Sequence, residues 1–256
     1  METILFLHEK GSFMNALTKY YQHASKLLAK AFEDEEKNLE AAAAQLAKTC
    51  INHGRIYVFG SGHSHIMAEE VYARAGGLAL IKAILPTELM VIDFPTKSTG
   101  IERISGYAAS LLNLYKLDEH DTIIIISNSG RNAVPVEMAE ESRKKGAFVI
   151  ALTSLEHSKQ TVSRAPSGYK LYELADIVID NHAPKGDASL KLDGVDLPVG
   201  PVSDFIGIFM MEAMMTQTIE NIAKAGLRPP VFCSSNVDGG DQVNAELFEK
   251  YYGYWK

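Results

Sequence analysis

Apolar residues recur along this chain with two different periods. From Met14 they fall at Leu17, Tyr20 and Tyr21, Ala24, Leu27 and Leu28, and Ala31. That is the spacing of a helix with one buried face. The acidic run Glu33-Asp34-Glu35-Glu36 follows, and the spacing resumes at Leu39, Ala42, Ala43 and Leu46. Carboxylates suit the first turn of a helix, where the dipole favours them, so the run reads as a second helix start or as a solvated patch. Two helices before any strand predict an N-terminal helical arm over residues 1–50. Residues 1–13 precede the pattern as an upstream extension or non-native addition and carry no functional expectation.

The grammar then changes. Arg55-Ile56-Tyr57-Val58-Phe59 is a short apolar run that ends in Gly60-Ser61-Gly62, and a helix from about Ser64 to Ala75 stops at Gly76-Gly77. Leu78 to Leu85 reads as a second strand, Pro86 to Gly100 as a loop, and Ile101 to Tyr115 as a helix. Thr122-Ile123-Ile124-Ile125-Ile126 is β-branched and apolar on both faces, the mark of a central strand in a parallel sheet. A helix to about Lys145, strands at Ala147–Leu152 and Asp176–Ile179, and an irregular Gly/Asp/Pro-rich stretch from Asn181 to Pro201 follow. A Met-rich helix over about Ser203–Ala225 and a final short helix complete the pattern. Strands alternating with helices predict an α/β fold. The expected architecture is a three-layer α/β/α sandwich on a doubly wound parallel sheet of about five strands, filling residues 51–256 behind the helical arm.

Charge narrows the partners. Lys and Arg number 25 against 32 Asp and Glu, a net charge of −7, which argues against nucleic acid, since phosphate backbones need a basic face. Small anions stay open, because backbone N–H groups can hold them. Cys50 and Cys233 lie far apart and form no CxxC, so neither a disulfide framework nor a cysteine zinc site is expected, and a cytoplasmic protein follows. No apolar stretch reaches the roughly 18–20 residues needed to span a membrane.

Two strand-to-helix turns carry candidate chemistry. The first is Gly60-Ser61-Gly62-His63-Ser64-His65. A dinucleotide fingerprint would need a third Gly where His65 stands and an acid near the end of the second strand, where the chain has Lys82. No Gly-Lys-Ser/Thr follows, so this is not a P-loop. The second is Ser127-Asn128-Ser129-Gly130-Arg131-Asn132, with two hydroxyls and a helix N-terminus suited to phosphate. The plain alternative for either turn is that Ser and Asn merely cap helices and form turns. Two such turns on one sheet favour an anion site at its carboxyl edge.

Ser127-Asn128-Ser129-Gly130 after an Ile-rich strand resembles the Ser-x-Ser-Gly signature of the sugar isomerase (SIS) domain family, which binds phosphosugars. Gly60-Ser61-Gly62-His63-Ser64 is similar to the family's first turn, and the strands at Val149–Leu152 and Ala175–Ile179 are similar to its later ones. The similarity spans roughly residues 35–225 and is nearest to bacterial chains labelled phosphoheptose isomerase without an established function. The resemblance implies phosphate-holding roles for Ser64, Ser127, Ser129 and Asn132, with Asn132 where Ser or Thr is usual; Ser61 is counted with them as a hydroxyl of the same edge. It also implies a pair of copies that complete each other's sites. The chain departs from phosphoheptose isomerase itself in two places. Arg74 stands at the position of that enzyme's catalytic Glu, and the Met-rich helix has no His.

Isomerisation between aldose and ketose needs a base near C1 and C2 and an acid to open the ring. Glu69 and Glu70 on the first helix, His63 in the turn, and His182 in the irregular stretch are the catalytic candidates; solvent-facing Glu is the plain alternative for the first two. Asp187 lies in the same stretch, Arg131 could meet phosphate, and Asp204 and Glu212 lie eight residues apart on the Met-rich helix. His63-x-His65 lacks third and fourth zinc ligands, so no metal and no cofactor are expected. Met210, Met211, Met214 and Met215 are read as core or subunit interface, and Asp238-Gly239-Gly240-Asp241 as a turn rather than a calcium loop. The expected function is cofactor-independent isomerisation of a sugar phosphate. A sugar-phosphate lyase or etherase, and a non-catalytic phosphosugar sensor, are the alternatives. A homodimer or homotetramer is expected, with His23 a residue one copy could lend to the other.

Overall fold

The computed structural model describes residues 14–92, 94 and 96–253; the expectation for residues 1–13 lies outside them. The chain begins with α1 (Ala16–Ile51), a single helix of 36 residues capped by the Asn15 side chain, which accepts from the Thr18 N–H. The expected break at the acidic run is absent. No Gly or Pro interrupts residues 16–51, and Glu and Lys are good helix formers, so the run simply continues the helix. Glu35 is buried on its inner face, where its carboxylate accepts from the Asn38 amide at 2.8 Å.

The remaining order is β1 (Ile56–Gly60), α2 (His65–Glu70), β2 (Ile81–Ile84), α3 (Lys97–Ile101), α4 (Tyr107–Leu112), β3 (Thr122–Ile126), α5 (Ala133–Lys144), β4 (Phe148–Thr153), α6 (Leu155–Lys159), α7 (Leu171–Leu174), β5 (Ile177–Asp180), β6 (Ala188–Leu190), β7 (Val199–Pro201), α8 (Ser203–Lys224) and α9 (Gly240–Tyr252). The five strands β1 to β5 form one parallel sheet in the order 2-1-3-4-5. Its two faces sort the isoleucines of β3. Ile124 and Ile126 join Val58, Ile150 and Leu152 under α1, α2 and α8, whereas Ile123 and Ile125 join Phe59, Val149 and Ala151 under α4, α5 and α7. Every residue of β1 and β3 is buried, as a sheet covered on both faces requires. The three-layer sandwich is as the sequence predicts.

Several elements are shorter than the hydrophobic period suggests. The first crossover helix ends at Glu70 rather than Ala75, because Ala73 adopts φ +51°. The pattern from Ile101 to Tyr115 is broken at Gly106, φ +83°, where the buried Glu137 carboxylate accepts from the Ser105 hydroxyl and the Gly106 N–H at 2.5 and 2.7 Å. Within the stretch read as irregular, β6 and β7 pair as a small antiparallel ribbon. The four methionines of α8 are buried against α1 and the sheet.

The α1 helix is thus part of the main core, with Leu46 fully buried and Thr49 Oγ1 2.6 Å from Thr122 Oγ1 at the start of the central strand. Leu46→Ala is expected to cost about 2–5 kcal/mol in urea denaturation, while Leu114→Ala, at a side chain 79% exposed, should stay within about 0.5 kcal/mol. Equal, small effects would mean that α1 is a loosely attached arm.

Candidate functional site

Strand order decides where a ligand can sit. From β1 the chain crosses to β2 on one side, and β3 returns on the other, so β1 and β3 flank the point where the winding reverses. Parallel α/β sheets bind ligands outside the carboxyl ends of such strands. Gly60 pairs with Ile126 as the last residue of each strand, so the two turns singled out from the sequence leave the sheet side by side.

Each turn is held by close packing. A methyl group at Gly60 would overlap the Ser64 carbonyl, and Gly62 has φ +59°. The Ser64 N–H donates to Ser61 O at 3.2 Å, closing a short 3-10 turn over Gly62–Ser64 ahead of α2. In the second turn Gly130 has φ +53° and donates its N–H to Ser127 Oγ at 3.2 Å. The Thr153 hydroxyl donates to Ser127 O at 2.7 Å, and the Asn181 amide to Asn128 Oδ1 at 2.6 Å, so the ends of β4 and β5 brace this turn. Ser64 and Ser127 are buried and Ser129 is half-buried.

A residue that the sequence did not single out joins the two turns. Glu102, just past α3, accepts from the Ser61 hydroxyl at 2.6 Å and from Asn132 Nδ2 at 2.8 Å, and its main-chain carbonyl takes the Val134 N–H at 3.0 Å. Asn132 is the N-cap residue of α5, yet its side chain makes no capping bond. Its other atom, Oδ1, accepts from Arg164 at 3.1 Å. The Arg164 N–H also donates to Arg131 O at 2.7 Å. Burial, and then the charges of Arg164 and Arg103, pull the Arg131 guanidinium below its ordinary pKa, and Arg131 Nε is buried without a hydrogen-bond partner. Arg131 and Arg164 thus stand at the second turn, and the charge of Arg103 is felt there. Among them only Arg131 had been marked as a candidate; Arg103 and Arg164 belong to no motif and arrive from separate loops.

The acid–base candidates separate. His63 is exposed at the first turn. His65 is buried; its Nδ1 meets Gly62 O, and its Nε2 lies 3.8 Å from the Glu69 carboxylate. Glu69 is half-exposed, whereas Glu70 pairs with Arg74. His182, with φ +52°, turns toward α1, its Nδ1 3.0 Å from Lys30 Nζ and its Nε2 3.6 Å from Asp34. Asp187 caps α8 by accepting from the Val202 and Ser203 N–H groups at 3.0 and 2.8 Å. His23 sits against the ribbon of its own chain, with Nε2 2.8 Å from Ser189 Oγ. Asp204 lies in the first turn of α8. Burial pushes its pKa up, against the opposing charges of His63 and His65, and its Oδ1 is buried with no partner. Among the described residues, no group of three or more His, Cys, Asp or Glu could hold a metal ion.

A sequence profile of the SIS domain matches residues 19–154, a little over half of the chain. The chain belongs to the SIS domain family. A UPF0309 protein of Halalkalibacterium halodurans is 49% identical over 237 residues, covering 93% of this chain and 98% of the relative. One from Geobacillus thermodenitrificans is 42% identical over 235 residues, covering 92% and 94%. Among solved structures, the phosphoheptose isomerase of Neisseria gonorrhoeae superposes with a TM-score of 0.56 at 16% identity, over 80% of this chain and 97% of that one. That of Francisella tularensis gives 0.55 at 17% identity, over 81% and 100%. At such identities the likeness is one of fold.

This SIS domain differs from the phosphoheptose isomerase pattern at a definite spot. Arg74, where the resemblance implies a catalytic Glu, is bracketed by Glu70 and by Glu212 of α8 at 3.5 Å. Glu70 and Glu212 are thereby committed to an ion-pair cluster with Arg74.

The raised pKa of Asp204 makes a signed prediction. Between the unfolded value near 3.8 and the higher folded value, the folded protein holds a proton that the unfolded chain has released, so stability falls as pH rises through that window. Asp204→Asn is expected to raise the Tm at pH 7, and the gain should shrink on acidification toward pH ~4, below which both states are protonated. A variant no more stable than the parent at pH 7 would contradict the burial of this carboxyl.

Proposed function

We propose that the crevice between the two turns binds a phosphorylated sugar and interconverts its aldose and ketose forms without a cofactor. The observation that carries this reading is the pairing of two hydroxyl-rich turns at the switch point with Arg131 and Arg164 at the second. Ser64, Ser127 and Ser129, with the start of α5, would hold the phosphate, and Arg131 would neutralise it. Ser61 and Asn132 already donate to Glu102, so their part would be to fix the two turns relative to one another.

The sugar end would then lie toward the first turn. Glu69 is the candidate base, and His63 and Asp204 are the candidate acids for ring opening; burial raises the Asp204 carboxyl in the direction that favours its protonated form. Glu70 and His182, committed to Arg74 and to the Lys30–Asp34 pair, are placed here as supports rather than reacting groups.

The test is a panel of aldose and ketose phosphates followed by NMR, with the parent and the Ser127→Ala/Ser129→Ala variant. Interconversion by the parent supports isomerisation. Elimination or ether cleavage would move the assignment to a lyase, and binding without turnover to a sensor. Each lost hydrogen bond to a charged phosphate is worth about 1.5–3 kcal/mol, so the double variant should bind at least ten-fold more weakly. Unchanged affinity would remove the phosphate from this turn.

We further propose that the protein acts as a pair. Phe32 and Phe209 meet edge to face at 6.0 Å on the outer side of α1 and α8, and both remain over a third exposed, with Phe205 and Tyr21 more so. Apolar side chains along one helical face in this way suit a two-fold interface. Light scattering at low micromolar concentration should report at least twice 28.1 kDa. A monomer with full activity would exclude shared sites.

A further inference from the structure

The opposite edge of the sheet carries a second concave site. A cavity of about 420 Å³ opens where the chain runs into β1 and β2, beneath the ends of α1 and α8 and beside α9. Leu80, Ile222, Leu227 and Pro230 give it apolar walls, and Tyr251 adds an aromatic ring. Its polar lining is cationic: Arg55, Lys82, Arg228 and Lys250, with His53. No Asp or Glu lines it among the described residues. In a chain with 32 acidic and 25 basic residues, chance would place more carboxylates than cations around such a cavity.

The frame is rigid. A methyl at Gly54 would overlap the His120 carbonyl, so the chain is pressed against its neighbour just before β1. The Arg55 N–H donates to Asp121 at 2.7 Å, and the Tyr252 hydroxyl pins α9 to Ile81 O at 3.0 Å. Lys82 reaches in from β2. Its ammonium donates to Tyr251 O at 2.7 Å and lies 3.6 Å from the centre of the Tyr252 ring. Burial, and after it the charge of Arg55, draws the Lys82 ammonium down to about 8, a cost that a bound anion would relieve.

We propose that this amino-edge cavity is a binding site for a small organic phosphate with a planar, apolar body, of nucleoside monophosphate size. The Arg228 guanidinium and the two ammonium groups suit a phosphate dianion, while Arg55 is shared with the Tyr57 hydroxyl and the nearby Asp121 carboxylate. The apolar walls and the Tyr251 ring suit a flat group. The volume falls in the range of about 300–1,000 Å³ typical of small-ligand sites. An adjoining groove of about 240 Å³ shares Arg228, Lys250 and Tyr251 and gives a larger body room to extend; Glu246 faces that groove rather than the cavity.

The site is far from the crevice, so the two can be told apart. Titration calorimetry of the full chain with 5′-AMP, ribose 5-phosphate and inorganic phosphate is the experiment. 5′-AMP is expected to bind one per chain, at least ten-fold more tightly than inorganic phosphate. Arg228→Gln/Lys250→Gln, at two exposed positions, should weaken 5′-AMP at least ten-fold, and Ser127→Ala/Ser129→Ala should leave its affinity unchanged. Ribose 5-phosphate, if it binds, should be weakened by the serine pair, not by the cationic one. Absence of 5′-AMP binding at millimolar concentration, binding unmoved by Arg228→Gln/Lys250→Gln, or binding lost with the serine pair would each overturn the proposal.

Discussion

Parallel pairing of β1 with β3 in one particular register is the constraint from which the crevice is built. With Gly60 opposite Ile126, both strands end at the same level, and Ser61 and Ser127 begin their turns as neighbours. A slip of one residue would reverse which face each side chain meets, driving Tyr57 and Phe59 into the layer that now holds Val58. The two faces carry different helices and differently sized residues, so burial locks the register. The site inherits its geometry from the core.

Electrostatics then finishes what packing starts. Glu102 brings one negative charge between two turns and is met by Ser61, by Asn132 and, through Asn132, by Arg164. Arg131 stands at the same turn, and the charges of Arg164 and Arg103 act on it. The other end of the crevice holds the buried Asp204 carboxyl, with His63 and His65 nearby.

Much of the frame could be read from residue order. The strands β3, β4 and β5 fall within a residue or two of their expected limits, because β-branched runs between glycine-marked turns have no other stable home in an α/β chain. The helices α5 and α8 were equally plain. Legibility ended where a tertiary contact overrules a local period. The Ser105–Gly106 break depends on Glu137, thirty-odd residues away, and no window of sequence contains both. The ribbon of β6 and β7 is three residues a side, too short for alternation to show. In the site, the two turns were visible because glycine and serine between a strand and a helix have few uses. Glu102, Arg103 and Arg164 were invisible because ordinary surface-type residues acquire meaning only when loops bring them together. Asp204 reads from the sequence as a carboxylate on a helix, and its burial is a tertiary property that no local pattern carries.

The unbroken α1 helix has a consequence for how such chains can diverge. Near one end, Tyr20 donates to Pro201 O at 2.9 Å and His23 meets Ser189; near the other, Thr49 meets Thr122. At about 1.5 Å of rise and 100° of rotation per residue, one inserted residue between these anchors would swing the far contacts a quarter-turn off the sheet. Those of the buried residues Ala24, Ala31, Leu39, Ala42, Ala43 and Leu46 that lie beyond the insertion would leave the stripe together. Insertion or deletion between the anchors would therefore misplace one end, and even a whole turn would move it about 5.4 Å along the axis, whereas single substitutions leave the spacing intact. The helix acts as a ruler, and the number of residues it contains is under tighter constraint than most of their identities.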